Sequence, residues 1–313
     1  MFVTDGMLNV RKEKGYTSHD VVAKLRGILH MKKIGHTGTL DPQAEGVLPV
    51  ALGAATRLAD LFTEKEKSYE AVLLLGTETD TQDMTGTVLK ECEVSVSEQE
   101  AKDAIESFVG PCMQVPPMYS ALKVGGKRLY DLAREGISVE RKPRQVMFYE
   151  IQILEMQIPR IRFLVRCSKG TYIRTLCHDI GEKLGCGGCM ESLLRTGSGP
   201  FCLKNSHTLD EIRQAVEQET IESLIIPVET LLSDYPKVLC NQYGDRLLAN
   251  GNPIQPQLTE AAGKEPPSGW VRMCTSNGAF VGIYQWRSEK QAYFPVKMFY
   301  PDAADLGRSR EEK

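Results

Sequence analysis

Across 17–30, apolar residues fall at Val21, Val22, Leu25, Ile28 and Leu29, and Thr17 with Asp20 makes a capping-box pattern before them. This spacing predicts an amphipathic helix. A second capping box, Ser97 with Glu100, predicts another over 97–109. YEAVLLLG (69–76) is a short unbroken apolar run and predicts a strand buried on both faces. Strands are also predicted over 146–158 and 161–167, the second (IRFLVRC) alternating. GTYIRTLCHDIGEKL (170–184) returns to helical spacing, GAATRLADLF (53–62) predicts a short helix, and TETDTQDMTGT (77–87) a polar connection.

Beyond about residue 235 the texture changes to short strand-like pieces, KVLC, FVGIYQW and AYFPVKMF, divided by GNPIQPQ, AAGKEPPSG and SNG. These predict a small β domain with one flexible loop, followed by a disordered tail at DLGRSREEK. Strands and helices mix without regular βαβ alternation, so the fold class is α+β.

The 313 residues suffice for one large domain plus a small one, and 42% hydrophobic with 25% charged residues fits a soluble globular protein. Nine cysteines lack a disulfide rhythm, no N-terminal apolar run resembles a signal peptide, and no stretch approaches the roughly 18–20 apolar residues of a membrane span. A reducing cytoplasm is expected. Cys186-Gly-Gly-Cys189, with Cys177 and His178 upstream, lacks a second well-spaced ligand pair, so no metal is expected. A glycine-rich helix terminus after Leu184 accounts for it.

The net charge of −3 hides an asymmetry. Residues 118–146 hold seven Lys/Arg against three Asp/Glu, whereas 208–235 hold seven Asp/Glu against one Arg, so one face of an acidic protein can attract a polyanion.

Chemistry concentrates in IGHTGTLDPQAEGVL (34–48). Gly35, Gly38, Gly46 and Pro42 make a shaped loop that carries Asp41, His36 and two threonines, and such loops on a rigid scaffold often hold sites. A carboxylate there needs its pKa controlled, and Arg174, early in a predicted helix, is a candidate partner.

Four segments, GHTGTLDPQAEGVLPVALGAATR (35–57), EKSYEAVLLLGTETDTQDMTG (66–86), VPPMYSALKVGGKRLYDLAR (115–134) and CSKGTYIRTLCHDIGEKLG (167–185), together resemble the TruB family of pseudouridine synthases. The resemblance runs over nearly the whole chain. It implies a cofactor-free isomerisation of the T-loop uridine at tRNA position 55: the glycosidic bond breaks, uracil turns, and C5 joins ribose C1′. The uridine must first be flipped out of its stack.

Carried onto this sequence, the resemblance implies that Asp41 is the catalytic carboxylate, Tyr69 stacks on the target base and Arg174 pairs with Asp41. Asp41 would attack ribose or base, or remove a ribose proton. His36 would contact displaced nucleotides, Leu193 would line the uracil pocket, and Lys67 would orient the site or contact RNA. Lys123, Lys127, Arg128 and Arg134 would grip RNA phosphates from an insertion at about 77–144, where Gly125-Gly126 suits a mobile clamp. Two departures are local: the family commonly has a basic residue where Leu194 stands and a His near Cys189.

The resemblance also implies a pseudouridine synthase domain over 1–235, with a mixed, largely antiparallel sheet and flanking helices. A PUA-like RNA-binding module over 236–301 and a tail over 302–313 would follow. The expected partner is the T-arm of tRNA, with no guide RNA and a monomeric enzyme. A guide-RNA-dependent synthase and a non-catalytic RNA-binding or RNA-folding protein on the same scaffold are the alternatives; the insertion and the absence of a Lys-rich tail favour a stand-alone enzyme.

Overall fold

The computed structural model describes residues 5–260, 263 and 265–299, so the tail expected over 302–313 and part of the AAGKEPPSG loop lie outside the described residues. In chain order the first elements are β1 (Gly6–Lys12), α1 (Ser18–Ile28), β2 (Ile34–His36), β3 (Glu45–Leu52), α2 (Ala59–Thr63) and β4 (Lys67–Leu75). Then come β5 (Thr77–Thr79), β6 (Val88–Glu91), α3 (Glu98–Glu106), β7 (Gly110–Gln114), β8 (Lys123–Val124), β9 (Lys127–Arg128) and α4 (Leu129–Arg134). The remainder of the large domain is β10 (Arg144–Gln157), β11 (Arg160–Cys167), α5 (Ile173–Leu184), β12 (Gly188–Ser198), β13 (Phe201–Cys202), α6 (Leu209–Glu217), β14 (Ile225–Ile226) and α7 (Val228–Leu231).

A ten-stranded sheet runs β14-β1-β3-β12-β4-β11-β10-β7, with β2 on β3 and β13 on β12. Its pairings are antiparallel except β3 with β12, where Leu194 faces Glu45 and Arg195 faces Gly46. Both predicted capping boxes form, at Thr17 with Asp20 and at Ser97 with Glu100. Helices α3 and α5 cover one part of the sheet through Ala101, Ile105, Leu176 and Ile180 on Leu73, Ile161 and Phe163. Helices α1 and α6 cover another, where Val21, Leu25 and Ile212 meet Leu8, Leu48 and Val50.

The last part forms β15 (Lys237–Leu239), α8 (Gln242–Ala249), β16 (Trp270–Cys274), β17 (Phe280–Arg287) and β18 (Ala292–Met298), with the four strands in that order in a separate sheet. This unit has its own core of Val238, Leu248, Val271, Tyr284 and Tyr293. It also shares one with the large domain, where Phe280 and Ile283 pack with Met7, Ala51 and Phe62.

Several expectations change. Strand β4 is not buried on both faces throughout: Ser68, Glu70 and Val72 are only partly covered, and only its Leu73–Leu75 end is enclosed. Glu70 reaches an exposed Arg162 at 3.3 Å, which explains a charge inside an apolar run. The polar connection over 77–87 begins a β5–β6 hairpin. Helix α5 starts at Ile173 rather than Gly170, because Tyr172 is still extended, and it ends at Gly185 as predicted. Within the insertion expected over about 77–144, α3 buries Ala101, Ala104 and Ile105, and β7 pairs with β10. Only residues 115–143 stand between β7 and β10 as a separate excursion.

Candidate active site

The ends of the 34–48 segment are strands. Gly35 pairs with Ala51 in the β2–β3 ladder, and only residues 37–44 loop between β2 and β3. The loop is tied down at each turn. Ser18 Oγ, in the first turn of α1, accepts from Leu40 N at 2.9 Å; Thr37 N donates to Pro49 O at 3.0 Å; and Ala44 N donates to Asp41 O at 3.1 Å. From β1, the buried Lys12 amine donates to Pro42 O and Glu13 O, each at 3.0 Å, and Gly15 N donates to Pro42 O at 2.9 Å.

Arg195 on β12 completes this clasp. It is 1% exposed, and its guanidinium donates to Val47 O at 2.6 Å, Gly38 O at 3.1 Å and Thr39 O at 3.5 Å, so one side chain holds both ends of the loop. The fit requires Gly46: φ is +101°, and a Cβ there would lie 2.2 Å from Arg195 O.

Asp41 projects from this loop into a cleft, where α5 delivers its partner from 133 residues away. Arg174 Nη2 contacts Asp41 Oδ1 at 3.2 Å and Oδ2 at 3.1 Å. Arg174 Nη1 turns instead to Thr81 O at 3.5 Å and Asp83 Oδ2 at 3.9 Å. The arginine therefore meets Asp41 through one nitrogen and not through two parallel bonds. Asp83 is held in turn by Thr81 Oγ1 at 2.8 Å, Thr85 N at 2.9 Å and Thr85 Oγ1 at 2.5 Å.

Burial in the cleft pushes the Asp41 carboxyl above its ordinary range; Arg174 and Lys12 pull it down, and Asp83 adds to the rise. Burial also lowers Lys12 to about 8, against the pull of Glu45 and Asp41.

The cleft encloses about 270 Å³ and is lined by Asp41, Ala44, Asp83, Met84, Met190, Leu193 and Leu194, with Glu45, Glu70 and Glu191 among its other walls. Leu193, which the family resemblance places in a uracil pocket, is one of the apolar residues of this wall. Five carboxylates against the single cation Lys14 make the wall acidic, so the cleft suits a neutral group better than an anion.

Tyr69, on β4 opposite Arg195, is 8% exposed and packs in the cluster that contains Leu40, Ala44 and Ile173, beneath the Asp41 loop. Burial pushes its phenol up to about 12, with Arg195 opposing the rise. His36, at the end of β2, meets His19 edge-to-face at 5.2 Å, and its Nδ1 accepts from Gly38 N at 3.4 Å. Burial, then His19 and Arg195, lower it to about 4, so it is neutral at physiological pH.

Lys67 departs from expectation. It is 7% exposed and its amine donates to the carbonyls of Thr63 and Lys65, so it braces the turn before β4. Burial lowers it to about 8.

The remaining basic residues stand on the excursion. Lys123 and Arg128 face each other across β8–β9, all of whose residues are exposed, and Gly125 and Gly126 make its turn with φ of +58° and +85°. Arg128 and Arg134 both stack on Tyr130, and Lys127 lies 3.7 Å from Glu135. Leu194 lines the cleft, and Cys189 is buried with Sγ 3.5 Å from Met84 Sδ.

Sequence reading missed Asp83, Arg195 and Lys12. Asp83 stands inside a quoted segment, and Arg195 interrupts a strand-like run, which is the one local signal of a buried cation. Among the described residues no three His, Cys, Asp or Glu side chains group to hold a metal ion, and no helix is long and apolar enough to cross a membrane.

The TruB family pseudouridylate synthase (N terminal domain) profile matches residues 26–173, and the tRNA pseudouridylate synthase B C-terminal domain profile matches 174–233. A protein of Lachnoclostridium phytofermentans named tRNA pseudouridine synthase B is 49% identical over 94% of this chain and 99% of its own length. A protein of the same name from Bacillus pumilus is 41% identical over 95% and 98%. Among solved structures, a Cbf5-Nop10-Gar1 complex aligns with TM-score 0.71 and 28% identity over 95% of this chain and 85% of that chain. The family matches, the identity held along almost the entire chain and the shared fold have one conclusion: this chain belongs to the TruB family of pseudouridylate synthases.

Proposed function

We propose that this protein isomerises a uridine of tRNA to pseudouridine, and that its target is the T-loop uridine at position 55. The name of its relatives, tRNA pseudouridine synthase B, supports the reaction and the RNA. The observation that carries the reading is Asp41 in an acidic cleft, 3.1 Å from a buried Arg174 delivered by another part of the chain. Asp41 is the catalytic carboxylate and Arg174 aligns it. The base lies between Leu193 and Tyr69, and neutral His36 contacts displaced nucleotides as a hydrogen-bonding group rather than a cation. Aromatic stacking and these contacts offset the cost of flipping the nucleotide out.

Phosphates are held by the excursion at 115–143 through Lys123, Lys127, Arg128 and Arg134, and the four-stranded C-terminal unit acts as a PUA-like RNA-binding module. The enzyme works as a monomer in the cytoplasm without guide RNA. The near-complete coverage of curated relatives supports the stand-alone reading over that of a multiprotein particle. The test is to incubate the purified protein alone with unmodified tRNA transcript and map pseudouridine. Modification at position 55 by wild type and none by Asp41→Asn is expected; no pseudouridine anywhere, or equal product from the variant, refutes the reading.

A further inference from the structure

The basic excursion is fastened to the charge group around Asp41 at two points. The first is Gln114, the last residue of β7 and 3% exposed. Its side-chain amide donates to Tyr172 O at 3.0 Å and accepts from Tyr172 N at 2.9 Å. Tyr172 is the N-cap of α5, so this pair of bonds from a buried amide sets where the helix begins, two residues before Arg174. Gln114 also pairs with Arg144, and Arg141 donates to Pro116 O at 3.1 Å, closing the neck of the excursion.

The second point is Tyr119, whose phenol donates to Asp80 Oδ2 at 3.3 Å. Asp80 Oδ1 accepts from Thr87 N at 2.8 Å, which closes the turn that carries Thr81, Gln82 and Asp83. That turn is constrained: Gln82 sits at φ +63°, a conformation that side chains other than glycine rarely adopt, and Thr175 Oγ1 on α5 donates to its Oε1 at 2.7 Å. The same turn presents Thr81 O and Asp83 to Arg174. The tip reaches Tyr119 through its own backbone, because Tyr130 N donates to Ser120 O and Leu129 N to Leu122 O.

We propose that Gln114 and Tyr119 are positioning residues that tie the RNA-gripping excursion to Arg174 and Asp83, so that a grip on RNA at the tip orders the surroundings of the Asp41 carboxylate. This rests on the function proposed above. The root of the excursion touches both elements that approach Arg174, whereas Lys123, Lys127 and Arg128 at the tip stand exposed, clear of the catalytic cleft. RNA held at the tip then acts on the chemistry through packed contacts rather than through the solvent.

The test is a double-mutant cycle in single-turnover assays, with protein in saturating excess over unmodified tRNA, and with tRNA binding and thermal unfolding measured in parallel. The four proteins are wild type, Tyr119→Phe, the triple variant Lys123→Ala/Lys127→Ala/Arg128→Ala, and their combination. Tyr119→Phe removes one hydroxyl from a half-buried ring, so its unfolding temperature is expected to match wild type. It should bind tRNA within about threefold of wild type yet react about tenfold more slowly, because small displacements of a catalytic group cost rate rather than affinity. The triple variant should bind weakly and also react more slowly at saturation, and the combined variant should be no slower than Tyr119→Phe alone. A wild-type rate for Tyr119→Phe, an unchanged saturated rate for the triple variant, or rate losses that multiply in the combination would overturn the coupling. If wild type makes no pseudouridine, the proposed function falls first and takes the coupling with it.

Discussion

Arg174 stands between two carboxylates: Nη2 lies 3.1 Å from Asp41 Oδ2, and Nη1 lies 3.9 Å from Asp83 Oδ2. The Arg174 side chain is 6% exposed, whereas the Asp41 side chain is 38% exposed. Arg174 is therefore the buried member of the pair, and Asp41 is the member that faces the cleft.

Asp41→Asn retains the shape of the side chain and removes its charge. Turnover should be lost while tRNA affinity stays within about tenfold, since phosphate contacts elsewhere supply most of the binding. Filter binding beside a single-turnover assay checks both halves.

Arg174→Ala should abolish catalysis with the fold largely retained. Asp41 remains partly exposed, so the loss of stability should stay below the roughly 3–5 kcal/mol of a fully buried broken pair. Without the guanidinium, the lowering influence on an already raised carboxyl is gone, so the acid limb of the pH–rate profile should move to higher pH. Arg174→Lys should fall between wild type and Ala, because a single ammonium can replace the one-nitrogen contact with Asp41 but cannot also address Asp83. Single-turnover rates across pH measure the order.

His36 links stability to acid. Its folded pKa of about 4 lies below the ordinary 6.5, so the unfolded chain binds the extra proton first. Its contribution to stability is complete above about 6.5 and is lost as pH falls toward 4. His36→Gln should flatten that part of the stability curve, measured by urea unfolding at stepped pH; an unchanged slope would show that His36 is not the group.

Arg195 should tolerate substitution less than its place on a strand suggests. Arg195→Met leaves the carbonyls of Gly38, Thr39 and Val47 short of a donor, at about 1–3 kcal/mol for the Val47 carbonyl, the one of the three bonds that is buried. Arg195→Lys should recover part of the stability but not the loop geometry. Thermal unfolding, together with the saturated rate, separates the two effects.

Alanine at Lys123, Lys127 and Arg128 should weaken tRNA binding and flatten the dependence of log affinity on log salt, by about one unit of slope for each phosphate contact removed. The exposed Lys127–Glu135 pair at 3.7 Å contributes little, so stability should hardly change. Titrations at several salt concentrations check this.

Local signals sufficed for what is decided within a few residues. The capping boxes at Thr17 and Ser97, the alternation of β11 and the glycine stop of α5 are short-range effects, and each forms where its pattern stands. The Asp41 loop announced itself through glycine, proline and a carboxylate in one stretch, and the family likeness named Arg174 as its partner.

What the sequence by itself determined was therefore the fold class, the helices α1, α3 and α5, the strands β4, β10 and β11, and the loop that carries Asp41, while β1, β3 and β12 carried no reading. Tertiary structure decided the rest. Arg195 clasps a loop about 150 residues away, as its bonds to Val47 and Gly38 show, and no local pattern marks such a bond. Lys67 reads as a cation that orients the site or contacts RNA, yet the turn folds back over its amine. Asp83 gains its place only when the turn after β5 docks on β12, where Met190 N donates to Gln82 O at 3.0 Å. The physical reason is common to all three: whether a charge is buried, and what partners it, depends on chain segments that meet only when the sheet is assembled.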